Sequence, residues 1–242
     1  MNLFITLAFL FFIGSLSGWC IEVVFRRFFS KNNTDKKWIN PGACVGPYLP
    51  IYGLGLCALF LIAMLEKALP FNHPVWSKVA LFTVMSVCMT LIEYIAGIIS
   101  LKLNKLRLWD YSEEWGNIQG IICPKFSFFW AILGAIYYFL IHPHIINALV
   151  WLSHNLAFSF VVGVFFGIFT VDTFYSSQII KKLKRYAKEE NIIVRYEQLK
   201  SQIQAFREKT KQKRSFLLAM RTEKPLSEFL KEHKAAQKKQ KK

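Results

Sequence analysis

The chain has 242 residues, is 54% hydrophobic with 23 Phe, and carries a formal net charge of +16. An ordinary water-soluble domain rarely tolerates that much apolar sequence, so the composition excludes one and indicates a polytopic membrane protein with a charged tail. The cysteines Cys20, Cys44, Cys57, Cys88 and Cys123 are scattered and lack Cys-x-x-Cys spacing. They indicate neither a zinc site nor a disulfide framework, but free and mostly buried thiols.

The opening residues Met1 to Phe12 lack a basic n-region and a small-residue cleavage site, and Arg26 and Arg27 follow the apolar run instead of preceding it. They therefore read as a retained first helix and not as a signal peptide. Apolar runs of spanning length, about 20 residues for a bilayer, occur at Leu3 to Phe25, Tyr48 to Leu65, Val79 to Leu101, Phe126 to Ile141 and Leu152 to Tyr175. The expected fold is an all-α polytopic bundle of about five transmembrane helices over residues 1–177, followed by a basic helical tail over 178–242. Lys and Arg concentrate in the first and third loops, which the positive-inside rule assigns to the cytoplasm. That orientation puts the N-terminus outside and the C-terminus in the cytoplasm.

In the first helix Gly14, Gly18, Glu22 and Arg26 recur at four-residue steps. Gly14-x-x-x-Gly18 signals close helix packing. Glu22 either pairs with Arg26 one turn on or joins a deeper acid in a shared site. The loop that follows, Asn40-Pro-Gly-Ala-Cys-Val-Gly-Pro-Tyr-Leu-Pro-Ile-Tyr-Gly53, is too rich in Pro and Gly to begin as a regular helix. Such backbone at membrane depth lines a cavity or is buried in protein; otherwise the loop lies at the interface.

The third helix carries that deeper acid. Thr83, Ser86, Thr90, Glu93, Gly97 and Ser100 form one stripe at 3,4,3,4,3 spacing, a small and polar face on an oily helix. It is expected to face the bundle interior. A carboxylate within a spanning segment is costly and marks a function by default, which singles out Glu93. The loop beyond it supplies Arg107, Trp109, Asp110, Tyr111, Asn117 and Gln119. With the Pro/Gly loop, these residues are expected to floor a polar pocket open to the cytoplasm.

Glu22 to Trp38 and Glu93 to Trp109 are both separated by 16 residues, and each Trp is followed by an Asn/Gly segment and then a Pro opening the next helix. The match predicts a parallel internal repeat relating helices one and two to helices three and four. In the last helix Ser159, Gly163 and Gly167 repeat the small-residue theme, while Asp172 falls on the opposite face and is expected to snorkel to the interface. His142, His144 and His154 lack a companion carboxylate, so no metal site is expected.

From Gln178 onward there are 20 Lys and Arg against 7 Glu, a net +13 of the total +16. Within this tail Ile192, Tyr196, Leu199, Ile203 and Phe206 follow 4,3,4,3 spacing and predict an amphipathic helix or short coiled coil. Lys231 to Lys242 is expected to be disordered. The basic face is expected to hold anionic lipid headgroups of the bilayer first and a protein partner second, with nucleic acid last. No Walker-type loop, Gly-x-Ser-x-Gly or His-Glu-x-x-His occurs, and no cofactor is expected; nucleotide-driven transport would need a separate ATPase chain.

Several motifs recur in order: Gly18-Trp-Cys-Ile-Glu22, Asn40-Pro-Gly with Gly46-Pro-x-x-Pro-x-Tyr-Gly53, Glu93-Tyr-Ile-Ala-Gly97, Leu108-Trp-Asp-Tyr-Ser112 and Asn117-Ile-Gln-Gly120. Over residues 10–140 the set resembles the bacterial ABC transporter permease type IV (CmpB-like) family. In the Glu-bearing helix and the Trp-Asp-Tyr-Ser loop it is similar to the eukaryotic transmembrane protein 229 family. The resemblance implies a multipass protein of the bacterial cytoplasmic membrane with a transport role, and it carries no catalytic residues over.

The site expected from the sequence is a cytoplasm-facing cavity of Glu22, Arg26, Glu93, Arg107, Trp109, Asp110, Tyr111 and Asn117, in which Glu93 binds a cationic group or carries a proton. One alternative is an enzyme acting on a lipid or lipid-linked substrate, with Glu93 or Asp110 as base and with Tyr111 and either Arg26 or Arg107 holding the headgroup. The other is a non-catalytic scaffold that recruits partners through its tail.

Overall fold

A computed structural model describes residues 2–30, 33, 36–68, 74–196, 198–200 and 203. Phe206 of the tail stripe and the Lys231–Lys242 segment lie outside the described residues. The described chain is helical: α1 (Leu3–Phe28), α2 (Pro50–Met64), α3 (Pro74–Ile98), α4 (Pro124–Ile136), α5 (His142–His154) and α6 (Ser159–Glu189). Two short strands, β1 (Leu106–Arg107) and β2 (Val194–Arg195), pair in parallel, Leu106 opposite Val194.

Among the described residues, four stretches are long and apolar enough to cross a membrane: Leu3–Phe28, Val75–Leu103, Pro124–His154 and Ser159–Glu189. The expected second span is not among them. Its α-helical part, Pro50–Met64, has 15 residues and extends about 22 Å, short of the roughly 30 Å hydrocarbon core, and the 3₁₀ turn Leu65–Ala68 that continues it carries Glu66. Its start is set by Pro50 at the first turn, and the preceding Pro47 does not open it.

The fourth expected span also changes. His142-Pro143-His144 does not end it, because Tyr137–Ile141 forms a π-helical turn that leads directly into α5. Pro143 has no N–H to give to the Phe139 carbonyl, and the wider turn carries the chain past that missing bond. Leu152 consequently belongs to α5. After Asn155 and a 3₁₀ turn at Leu156–Phe158 the last helix begins at Ser159.

The contacts divide into two compact units. The first comprises Met1–Trp19, Tyr48–Ile98 and Asp110–Thr170. Its core contains Phe9, Leu10, Leu59, Phe60, Leu81, Met85, Tyr137, Leu149 and Leu152. The α1–α2 contact is as close as the glycine spacing predicts. A Cβ at Gly14 would lie 2.9 Å from Leu56 Cβ, and one at Gly18 would lie 2.2 Å from Tyr52 Cγ. By contrast, a Cβ at Gly163 or Gly167 meets nothing within 4 Å, so the small face of α6 is not a close contact among the described residues.

The second unit comprises the described residues of Cys20–Pro47, Ile99–Trp109 and the chain from Val171 onward. Leu106, Leu183, Ala187, Val194, Tyr196, Leu199 and Ile203 form its core. The tail stripe is thus partly realised and turned inward. Tyr196, Leu199 and Ile203 are buried against α6 and β1, whereas Ile192 is exposed in the turn before β2. Those apolar positions pack within the chain.

Candidate functional site

Glu93 lies in α3 within a candidate span and is 5% exposed. Its carboxylate accepts from Tyr111 Oη on Oε1 at 2.9 Å and from Trp130 Nε1 on Oε2 at 2.9 Å. Each oxygen therefore has a directed donor in a region where an unmatched one would be costly.

The two donors come from different elements. Trp130 is on α4, which starts at Pro124, and Ser127 one turn earlier fastens α4 to α3. Ser86 Oγ donates to the Ser127 carbonyl at 2.9 Å, and Thr90 Oγ1 bonds Ser127 Oγ at 3.1 Å. The stripe predicted on α3 thus faces α4 at Ser86, Thr90 and Glu93, while Thr83 bonds its own helix at the Val79 carbonyl. Gly134 lets Met85 approach farther along, where an added Cβ would sit 3.3 Å from Met85 Cβ.

Tyr111 reaches Glu93 from the loop between β1 and α4. Its ring stacks on Phe126 with centroids 4.1 Å apart and planes 10° from parallel. The loop is fixed locally. Asp110 Oδ1 accepts from the Ser112 N–H at 3.1 Å and from its hydroxyl at 2.5 Å, an Asx turn that presents Tyr111. Asn117 donates to the carbonyls of Ser112 and Glu114 and accepts from the Gly120 N–H. Gln119 and Gly120 have positive φ, 56° and 67°, and turn the chain back so that Tyr111 N–H reaches the Gly120 carbonyl.

Of the site expected from sequence, Glu93, Asp110, Tyr111 and Asn117 belong to the first unit, and Glu22, Arg26, Arg107 and Trp109 to the second. Glu93 and Tyr111 meet directly. Asp110 and Asn117 build the loop that carries Tyr111. Glu22 Oε1 accepts from Arg26 Nε at 2.9 Å, the one-turn ion pair. Arg107 lies in β1 opposite Arg195, and Trp109 is half-buried beyond that strand.

Trp130 was missed by the sequence reading, although a Trp six residues into an apolar span, away from the interface, is an unusual position for an indole N–H. Asp172, expected only to snorkel, has partners within the chain. Its carboxylate accepts from the Val45 N–H at 3.2 Å, the Gly46 N–H at 2.8 Å and the Ser176 hydroxyl at 2.9 Å. A Pro/Gly loop exposes backbone donors with no ladder to fill, and Asp172 supplies acceptors for two of them.

A model of the family described as Putative ABC-transporter type IV matches residues 9–177, which carry the Glu93 cluster, the Pro/Gly loop and Asp172. The chain belongs to that family. It is therefore a multipass membrane protein of this family, with about four candidate spans. No curated protein and no solved structure matches it.

Proposed function

We propose that this family member is the membrane-embedded component of a transport system in the bacterial cytoplasmic membrane, and that Glu93 is the charge on which a cationic group or a proton acts. The observation that carries this reading is the buried Glu93 carboxylate in a span, held by one donor on a loop and one on a neighbouring helix. Neutralising the carboxylate weakens its attraction for both donors, because hydrogen bonds to a charged acceptor are the stronger ones. Tyr111 is the donor on the loop, so a change of charge at Glu93 is transmitted to the segment between β1 and α4. That gives transport a moving part tied to the charge it senses.

The rest of the reading follows the sequence. In this proposal α2, with the 3₁₀ turn Leu65–Ala68 that continues it, crosses as a fifth span, so that the N-terminus is outside and the C-terminus cytoplasmic; helices one and two repeat as three and four, and the basic tail holds anionic lipid headgroups. A separate ATPase chain would supply nucleotide-driven work.

The test is Glu93→Gln and Glu93→Ala at matched protein levels, read as transport or host growth. Loss of function in both supports the proposal, and an unchanged phenotype in both rejects it. The scaffold alternative is tested by removing residues 204–242 and not the whole tail, because Leu183, Ala187, Val194, Tyr196, Leu199 and Ile203 belong to the core of the second unit. Loss on that truncation with Glu93→Gln intact would favour the scaffold.

A further inference from the structure

The family match stops at residue 177, yet a lysine 23 positions later is built into the Pro/Gly loop that the match contains. Lys200 is 3% exposed, and its ammonium donates to the Asn40 carbonyl at 2.8 Å and to the Gly42 carbonyl. It also lies 4.4 Å from the centre of the Tyr196 ring, one helical turn earlier in the same segment.

The loop is shaped to receive it. Asn40, 1% exposed, donates its side-chain amide to the Cys44 and Val45 carbonyls and accepts from the Gly42 N–H. That internal staple uses the carbonyls at 44 and 45 and leaves those of Asn40 and Gly42 converging on one point. Asp172 and Ser176 of α6 take the Val45 and Gly46 N–H groups on the other side. Donors of the loop are thus met from α6, and two of its acceptors from the tail.

We infer that residues 40–42 form a cradle for a primary ammonium, that Lys200 is its resident ligand, and that this occupancy fixes the loop. Val194 to Tyr196, Leu199, Lys200 and Ile203 act as a built-in clamp, with Lys200 its positioning residue. The segment is anchored independently of the lysine: Val194 N–H bonds the Lys105 carbonyl at 3.0 Å, and Tyr196, Leu199 and Ile203 fill the core. An empty cradle therefore leaves the clamp's own seat in place and frees the loop.

Cys44, in the middle of the loop, reports the state of the cradle. Its thiol is pushed up to about 11 by burial first and by Asp172 second, while Lys200 acts in the opposite direction. Removing Lys200 by electrostatics alone would thus raise the thiol further and slow its alkylation. Opening of the loop would speed it.

The experiment uses the full chain in detergent at pH 8, with N-ethylmaleimide labelling of each cysteine followed by mass spectrometry. In Lys200→Ala the Cys44 rate is expected to rise roughly tenfold or more, the factor that loss of one charge-assisted bond represents, with buried Cys123 unchanged. Added n-propylammonium chloride is expected to return the Cys44 rate toward wild type, and tetramethylammonium chloride, a cation without N–H donors, is not. An unchanged or slower Cys44 rate overturns the inference. So does a joint rise at Cys44 and Cys123, which is general unfolding, and so does a rise that propylammonium fails to reverse or that tetramethylammonium reverses equally.

Discussion

Tyr111→Phe is the cleanest perturbation of the Glu93 cluster, since it deletes one oxygen and keeps the ring that stacks 4.1 Å from Phe126. What is lost is the 2.9 Å bond to a carboxylate oxygen on a residue only 5% exposed, where little water is at hand to replace it. A hydrogen bond to a charged group contributes about 1.5–3 kcal/mol, so the substitution is expected to destabilise the protein by that amount. In a Glu93→Gln background the same deletion removes a neutral bond of about 0.5–1.5 kcal/mol. The double-mutant cycle should therefore show coupling on the order of 1 kcal/mol. Equilibrium unfolding in mixed micelles with increasing dodecyl sulfate measures all four proteins, with ΔΔG taken from midpoints at constant slope. A cost below about 0.5 kcal/mol, or equal costs in the two backgrounds, would refute the claim that Tyr111 holds a charged Glu93.

Gly18→Ala forces a methyl to within 2.2 Å of the Tyr52 ring and should cost about 1–3 kcal/mol by overpacking; Gly163→Ala, with open space, should be neutral or stabilising by up to about 1 kcal/mol in the same titration. Asp172→Asn weakens the acceptors for Val45 and Gly46, so hydrogen exchange of a peptide covering them should accelerate while that of the β1 segment holds. Stability should also fall in alkali. The Cys44 thiol ionises near 9.0 in the unfolded chain and at about 11 in the fold, so above pH 9 the unfolded state sheds its proton first and gains. The resulting loss reaches at most about 3 kcal/mol by pH 11, and burial of Tyr196, which pushes its phenol up, adds to it above pH 10. Comparing the unfolding midpoint at pH 8 and 10.5 checks this, and the drop should shrink in Cys44→Ser.

What the sequence revealed was the part written in periodicity. The glycines of α1 and the hydroxyl stripe of α3 sit where four-residue and 3,4 spacing put them, because close packing and buried hydroxyls leave a mark at every turn. Span boundaries were less legible. Hydropathy does not distinguish a 15-residue helix with an apolar lead-in from a full span, and a π-helical turn carries α4 through a proline that reads as a stop. The partners of Glu93 were half visible: Tyr111 belonged to a recognisable motif, whereas Trp130 lay inside an apolar run with no pattern to isolate it. Asp172 and Lys200 were hidden for another reason, since their partners are backbone groups 126 or more residues away, which leave no residue-type signature. One faint trace existed, as Lys200 stands four residues after Tyr196 and three before Ile203, on the apolar face of the tail.

The brevity of α2 has an effect on the surrounding bilayer. The α-helical part of this segment spans about 22 Å, and the 3₁₀ turn Leu65–Ala68 that continues it adds about 8 Å but carries Glu66, whereas the neighbouring helices exceed 30 Å. If that charged turn lies in the headgroup layer, lipid next to α2 compresses by about 8 Å or other protein covers the difference, and each ångström of compression costs a fraction of a kcal/mol. Where the hydrocarbon thins, the transmembrane voltage drops over a shorter path and the local field steepens. An ion or proton crossing beside α2 would meet a narrower insulating layer there than anywhere along the longer helices.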